Sequence, residues 1–280
     1  MTTTGQRHII EALHTKAIID PEEEVALRVN FLKDYVTHSS MNGLVLGISG
    51  GQDSSLAGRL CQIAVEELRE QTGKDYVFIA LRLPYGVQQD EEDAQWALQF
   101  ITPDRTYSVN VQPAVDSAVA SFQAATGLKM SDYNKGNQKA QERMTVHYRF
   151  SHHFNALVAG TDHASEAVSG FFTKYGDGGV DLTPLSGLTK RQGRLLLQYL
   201  GADERIYTKA PTADLLDANP GRLDEDELNI SYDVIDDYLE GKKVPAEVAQ
   251  LIEQRYTITE HKRQGPVTPF DTWWKTQNDR

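Results

Sequence analysis

Apolar residues fall along the chain in short bursts that alternate between two periods. Leu44-Val45-Leu46-Gly47-Ile48 is continuous, short and bounded by glycines, as a parallel strand buried on both faces should be. From Ser54 to Glu70 the period lengthens. Leu56, Leu60, Ile63, Ala64 and Leu68 share one helical face, and Gly73 supplies a stop. The alternation then repeats: Tyr76 to Leu81 predicts a strand and Asp90 to Phe100 a helix, Thr106 to Val109 a strand and Val115 to Ala125 a helix. Asn137 to Asn155 predicts a long helix running into the apolar strand Ala156 to Gly160. Upstream, the first forty residues read as helical, with Pro21 and Glu22, Glu23 and Glu24 at a helix start. Strands alternating with helices predict an α/β fold, a doubly wound parallel sheet flanked by helices, with its ligand site outside the carboxyl ends of the strands.

From Thr161 the rhythm changes. Asp177-Gly178-Gly179, Thr183-Pro184 and Ala218-Asn219-Pro220-Gly221 mark loops between short helices, expected to pack on the sheet and wall the site. No repeat, low-complexity tract or Pro/Ser-rich linker interrupts the chain. Residues 1–280 are therefore read as one domain, with a parallel-sheet core over about 40–160 and helices and loops of 161–280 completing the site.

Charge and composition narrow the function. Forty acids against 28 bases give a net charge of −12, which argues against a nucleic-acid binder, although it leaves room for a local basic pocket. Asp224, Glu225, Asp226, Glu227, Asp233, Asp236, Asp237 and Glu240 form a run without a base, expected as a helix with an acidic first turn and a solvated face. No stretch approaches the ~20 apolar residues of a membrane span. Met1 to His8 lacks the charged-then-apolar pattern of a secretory signal, so a cytoplasmic location is expected. Cys61 is the one cysteine, which excludes an internal disulfide and any multi-cysteine metal site; it reads as a core residue. His147, His152 and His153 crowd one helix without a His-Glu-x-x-His pattern and read as packing or surface residues.

The chemistry concentrates in Ser49-Gly50-Gly51-Gln52-Asp53-Ser54, between the first strand and its helix. Glycines let backbone N–H groups approach an oxyanion, and the helix dipole adds partial positive charge there. Ser49 and Ser54 add hydroxyl donors. Asp53, an acid where phosphate would sit, makes sense as a ligand to a divalent metal. Neither Gly73-Lys74-Asp75 nor Gly241-Lys242-Lys243 completes a P-loop, and no Gly-x-Gly-x-x-Gly stands at this strand end. Gly47-Ile48-Ser49-Gly50-Gly51 does match a hydrolase nucleophile elbow, for which His163 or His261 would have to serve as the base. Farther along, Lys190 and Arg191 fall in the first turn of a helix from Thr189 to Leu200, where cations oppose the dipole unless an anion binds.

Ser-Gly-Gly-x-Asp-Ser after a buried strand resembles the pyrophosphate loop of ATP pyrophosphatases. Longer blocks carry a more specific likeness. Gly160 to Gly179, Leu188-Thr189-Lys190-Arg191-Gln192-Gly193, Pro211-Thr212-Ala213-Asp214-Leu215, Tyr232 to Gly241 and Thr259-Glu260-His261-Lys262-Arg263 closely resemble the ammonia-dependent NAD synthetases, from about residue 5 to Trp273-Trp274. The resemblance implies an adenine nucleotide alpha hydrolase-like fold. It also implies a two-step ligation: ATP adenylates the nicotinate carboxylate of deamido-NAD, releasing pyrophosphate, and ammonia displaces AMP to give NAD, the last step of NAD biosynthesis.

By matching position, the resemblance assigns Gly47, Ile48, Ser49, Gly50, Gly51, Gln52, Asp53, Ser54, Arg82, Gln88, Thr161, Lys190 and Thr212 to ATP. It assigns Asp53 and Glu166 to Mg²⁺, and Lys174, Asp181, His261 and Lys262 to deamido-NAD, with Asp53, Lys174 and Asp181 catalytic. A departure stands at Gln141, where the family usually places an arginine that contacts deamido-NAD; Arg143 is a candidate substitute. Free ammonia is the implied nitrogen donor, since the glutamine-using relatives carry an added amidase domain. A homodimer with deamido-NAD across its interface is also implied. A tRNA-modifying ATP pyrophosphatase and a non-catalytic nucleotide binder are the competing readings.

Overall fold

The computed structural model describes residues 4–86, 91–209 and 224–275. Four strands, β1 (Gly43–Gly47), β2 (Val77–Arg82), β3 (Arg105–Ser108) and β4 (Leu157–Val158), form a parallel sheet in the order β3-β2-β1-β4. The chain steps from β1 through β2 to β3, then returns to the far side of β1. That reversal leaves a crevice beyond the carboxyl ends of β1 and β4, where such folds bind ligands. The expected doubly wound sheet is observed. Among the described residues no helix is long and apolar enough to cross a membrane.

Alternate strand residues feed two cores, which is why the strands read as continuous apolar runs. Leu44, Leu46, Phe78 and Ala80 pack with α2 (Pro21–His38), α3 (Gln52–Thr72), α4 (Glu91–Ile101), α8 (Lys190–Tyr199) and α9 (Glu204–Thr208). Val45, Ile79 and Leu81 pack with α5 (Gln112–Thr126) and α6 (Asp132–Phe154) on the opposite face. A third cluster joins α1 (Thr4–Ala12), α7 (Ala164–Ser169), α10 (Asp224–Leu228), α11 (Tyr232–Leu239) and α12 (Ala246–Ile258) beside the sheet. The short α13 (Glu260–Arg263) follows. Gly73 ends α3 in the left-handed conformation at φ 69°, as its position predicts.

Two expectations need correction. The strand expected over Ala156 to Gly160 is only two residues long: the Ala159 N–H still donates to the Val45 carbonyl of β1, but Ala159 also bridges Leu182, and the Gly160 N–H donates to the Leu182 carbonyl. The acidic run is not one helix and only in part a solvated face, with Asp226 and Asp233 exposed. It divides into α10 and α11 around Asn229, at φ 54°, and Asp224, Asp236 and Glu240 are buried. Asp236 accepts hydrogen bonds from the Lys190 N–H at 3.2 Å, the Arg191 N–H at 2.7 Å and the Ser165 hydroxyl at 2.7 Å. A carboxylate from a distant helix thus satisfies the otherwise unpaired donors of the first α8 turn and complements its dipole. Arg191 is drawn into the same cluster, 3.0 Å from Asp237 and 2.6 Å from Glu240.

Asp236→Ala should therefore lower stability by roughly 2–4 kcal/mol, because buried donors lose their acceptor. Asp233→Ala, whose side chain is 81% exposed, should stay within about 0.5 kcal/mol. Urea unfolding followed by circular dichroism measures both.

Candidate functional site

The loop after β1 is shaped by contacts that leave little freedom. Gly50 has φ +87°, and a Cβ there would lie 2.7 Å from the Ala94 backbone nitrogen in α4. Only glycine meets both conditions. Gly51 caps α3 with no side-chain hydrogen bond, so the amino end of this 21-residue helix faces the crevice without a capping side chain. Ser49 and Ser54 tie the loop across itself, hydroxyl to hydroxyl at 3.1 Å, and the Gly51 N–H donates to Ser49 Oγ at 3.3 Å. Neither His163 nor His261 hydrogen-bonds Ser49, so the nucleophile-elbow triad is not assembled.

Other residues expected to touch the nucleotide brace this loop. Arg82, buried at the end of β2, donates to the Ile48 carbonyl at 2.5 Å and pairs with Glu91 at 2.7 Å. Gln52 is buried and donates to the Lys190 carbonyl at 2.8 Å, locking α3 to α8. Thr161, half-buried, stands three residues beyond the β4 end. Gln88 and Thr212 lie outside the described residues.

Asp53 and Lys190 meet across the crevice although 137 positions separate them. Lys190 Nζ donates to Asp53 Oδ2 at 2.5 Å, and the lysine side chain is only 8% exposed. Burial alone would raise the Asp53 carboxyl, but Lys190 outweighs it and holds the group below its ordinary range. Burial would likewise lower Lys190, yet Asp53 and Glu166 hold it above its ordinary value. The two form a charged pair.

Opposite them, α7 begins at the β4 end and presents His163 at its cap and Glu166 in its first turn. His163 Nε2 lies 3.7 Å from Asp53 Oδ1 and 3.6 Å from Glu166 Oε2. These three residues each offer a ligand atom within 4.8 Å of the others, the one such group among the described residues. Burial brings His163 down to about 4, so the ring is neutral near pH 7. Burial and the negative charge of Asp53 push Glu166 well above its ordinary value. Asp162 is pushed up to about 7 by burial, Asp177 and Asp53. The centre carries more acid than Lys190 can neutralise and therefore favours a cation. His163 entered the sequence reading only as a hydrolase base; its signal was its position three residues before Glu166 at a helix start.

Lys174, His261 and Lys262 form a second group. Lys174 Nζ donates to the His261 carbonyl at 2.7 Å, while Lys262 Nζ donates to the Gly170 and Phe172 carbonyls, each at 2.8 Å. The lysines thus fasten α13 over the loop that follows α7. Asp181 sits apart, exposed, accepting from the Val158 N–H at 2.7 Å and the Tyr148 hydroxyl at 3.1 Å. Gln141 is exposed on α6, and Arg143 Nε donates to the Leu83 carbonyl at 3.1 Å. His147 packs against Gly47 with its Nε2 buried, whereas His152 and His153 are exposed, so the three histidines share no site.

Comparison with known proteins gives a consistent result. The NAD synthase family profile matches residues 24–266. The chain is 59% identical to an NH(3)-dependent NAD(+) synthetase of Bacillus cereus over 272 residues, covering 97% of this chain and 100% of the relative. Among solved structures, the NAD+ synthetase of Burkholderia pseudomallei is 46% identical with a TM-score of 0.80, covering 92% of this chain and 95% of that one. The NMN synthetase of Francisella tularensis is 35% identical with a TM-score of 0.78, covering 91% and 100%.

The raised Asp162 carboxyl sets a pH dependence. Its folded value lies above its unfolded one, so the ionised group opposes folding increasingly as pH rises from about 4 to 7. Asp162→Asn should accordingly raise the melting temperature of the metal-free protein at pH 8 and leave it nearly unchanged at pH 4. Calorimetry at the two pH values checks the sign.

Proposed function

Because the chain belongs to the NAD synthase family, we propose that its crevice joins ammonia to the nicotinate carboxylate of deamido-NAD, using ATP and releasing AMP and pyrophosphate. Ammonia-dependent NAD synthesis is the activity of relatives 59% identical over nearly the whole chain. The observation that carries the reading is the meeting of the Ser49–Ser54 loop with Lys190, Asp53 and Glu166 at the β1 and β4 ends. It does not support a non-catalytic binder, which has no need of a cation-seeking acidic centre beside a phosphate cradle.

A carboxylate is a poor electrophile, so an acyl-adenylate must precede attack by ammonia. In this reading the backbone donors at the amino end of α3 hold the ATP phosphates, with Ser49 and Ser54 shaping the loop. Lys190 releases part of its hold on Asp53 to meet a phosphate oxygen. Asp53 and Glu166 would hold Mg²⁺; two carboxylates fit a hard cation, which when bound offsets the charge of the leaving pyrophosphate. Arg82 keeps the Ile48 carbonyl turned away from the incoming anion. Lys174, Lys262 and His261 line the wall against which deamido-NAD rests, with Asp181 at its edge. Gln88, Thr161 and Thr212 complete the ATP contacts.

A homodimer fits the same reading. All four residues of β3, the open edge of the sheet, are exposed, and Tyr107 lies against Phe150 and Phe154 at ring distances of 5.2 and 5.9 Å. Bare sheet edges with aromatic flanks are usually covered. In this reading the dimer works in the cytoplasm.

A product assay with deamido-NAD, MgATP and ammonium should yield NAD with equimolar AMP and pyrophosphate, and glutamine should not replace ammonium. A parallel arm with nicotinate mononucleotide should give far less product; preferential NMN formation would move the chain toward the Francisella relative. Asp53→Ala and Glu166→Ala should each reduce pyrophosphate release at least ~100-fold with unchanged circular dichroism, the scale of losing one electrostatic group at a reacting centre. Sedimentation equilibrium should return twice the chain mass, and a monomer at micromolar concentration would remove the dimer.

A further inference from the structure

We infer that His163 Nε2 is a third ligand to the cation held by Asp53 and Glu166, making a mixed nitrogen–oxygen site that binds Mn²⁺ more tightly than Mg²⁺. The inference rests on the proposed metal role of the two carboxylates and adds a residue which that role does not require.

The geometry points to ligation rather than to a hydrogen bond. His163 Nε2 stands 3.7 Å from Asp53 Oδ1 and 3.6 Å from Glu166 Oε2, beyond hydrogen-bonding reach of either. Ligand atoms around one ion at about 2.0–2.2 Å are spaced at roughly 3–4 Å, as the two His163 sides are, and all three atoms lie within 4.8 Å of one another. The ring is 2% exposed, and neither Nδ1 nor Nε2 has a hydrogen-bond partner. Buried polar atoms are rarely left so, and an orphaned pair at a functional site calls for an ion or ligand. The ring is also fixed in place. Its residue caps α7, with its carbonyl accepting from the Ala167 N–H at 2.9 Å, and Tyr232 packs edge-on with ring centres 6.1 Å apart.

Asp53 divides its two oxygens in a way that suits this role. Oδ2 engages Lys190 at 2.5 Å, which leaves Oδ1 on the side of His163. Glu166 stands three positions after His163, so one helical turn presents both ligands to the same point. A nitrogen ligand penalises Mg²⁺, which takes oxygen ligands and gives up its waters reluctantly, more than a first-row transition ion such as Mn²⁺.

The test uses the full chain, freed of metal and without ATP. Titration with MnCl₂ followed by electron paramagnetic resonance gives the Mn²⁺ affinity, competition with MgCl₂ gives the preference, and spin-echo modulation reports a directly bound ¹⁴N. Wild type should show one ¹⁴N-coupled Mn²⁺, bound on the order of ten-fold more tightly than Mg²⁺. His163→Phe, which fills the ring space without a donor, and His163→Gln should both lose the ¹⁴N coupling. Mn²⁺ affinity should fall about ten-fold in His163→Phe, with Mg²⁺ affinity changed less than about three-fold. Mn²⁺ bound by wild type without ¹⁴N coupling, or coupling that survives in His163→Gln, would overturn the third ligand while leaving the carboxylate site standing. If wild type binds neither metal, or Asp53→Asn binds both as wild type does, the carboxylate reading itself fails. Should His163→Phe not fold, the wild-type and His163→Gln spectra decide alone.

Discussion

The pairing of β1 with β4 is the constraint on which the rest of the molecule depends. Leu44 and Val45 align with Leu157 and Val158, and this short register brings the loop after β1 beside the segment after β4. The acidic side of the centre then follows from what each strand leads into. β1 leads into α3 and hence Asp53; β4 leads into α7 and hence His163 and Glu166. Past Ala159, whose N–H still reaches the Val45 carbonyl, the chain turns to pair with Leu182 and goes on to Asp162 and His163.

Around that junction, the energetic problem is an excess of negative charge in a space of low polarity. Lys190 relieves part of it, and Lys190 is itself positioned by Asp236, which receives the amino end of α8 from the opposite side. The acids near the site thus have opposite tasks. Those of α11 organise basic residues, and those at the strand ends, in the proposed reading, receive a cation. An ion pair as buried as Asp53 and Lys190 contributes little net stability once desolvation is counted. Its effect is to keep both groups charged and aimed at a common point.

Much of this was legible in the order of residues. The glycine-bounded strand, the Ser49–Ser54 loop and the cation at the start of α8 announced themselves through period and spacing, because strand, turn and helix start are local properties. What escaped was set by distant partners. The burial of Asp236 depends on the first turn of α8, 45 positions away. Arg82, expected at the nucleotide, also braces the loop through the Ile48 carbonyl and Glu91, a role visible only once β2 lies beside β1. His163 had only a weak local signal, its place three residues before Glu166 at a helix start. It became conspicuous only when both ring nitrogens were seen to be buried without partners.

Cys61 carries a consequence of another kind. As the single thiol, fully buried on α3 within the core against the sheet, it is pushed far above the usual thiol range by burial. The folded molecule is consequently inert to alkylating and oxidising reagents at this residue. Its labelling rate becomes a stopwatch for the opening of α3 from the sheet, with every reacted molecule recording one excursion.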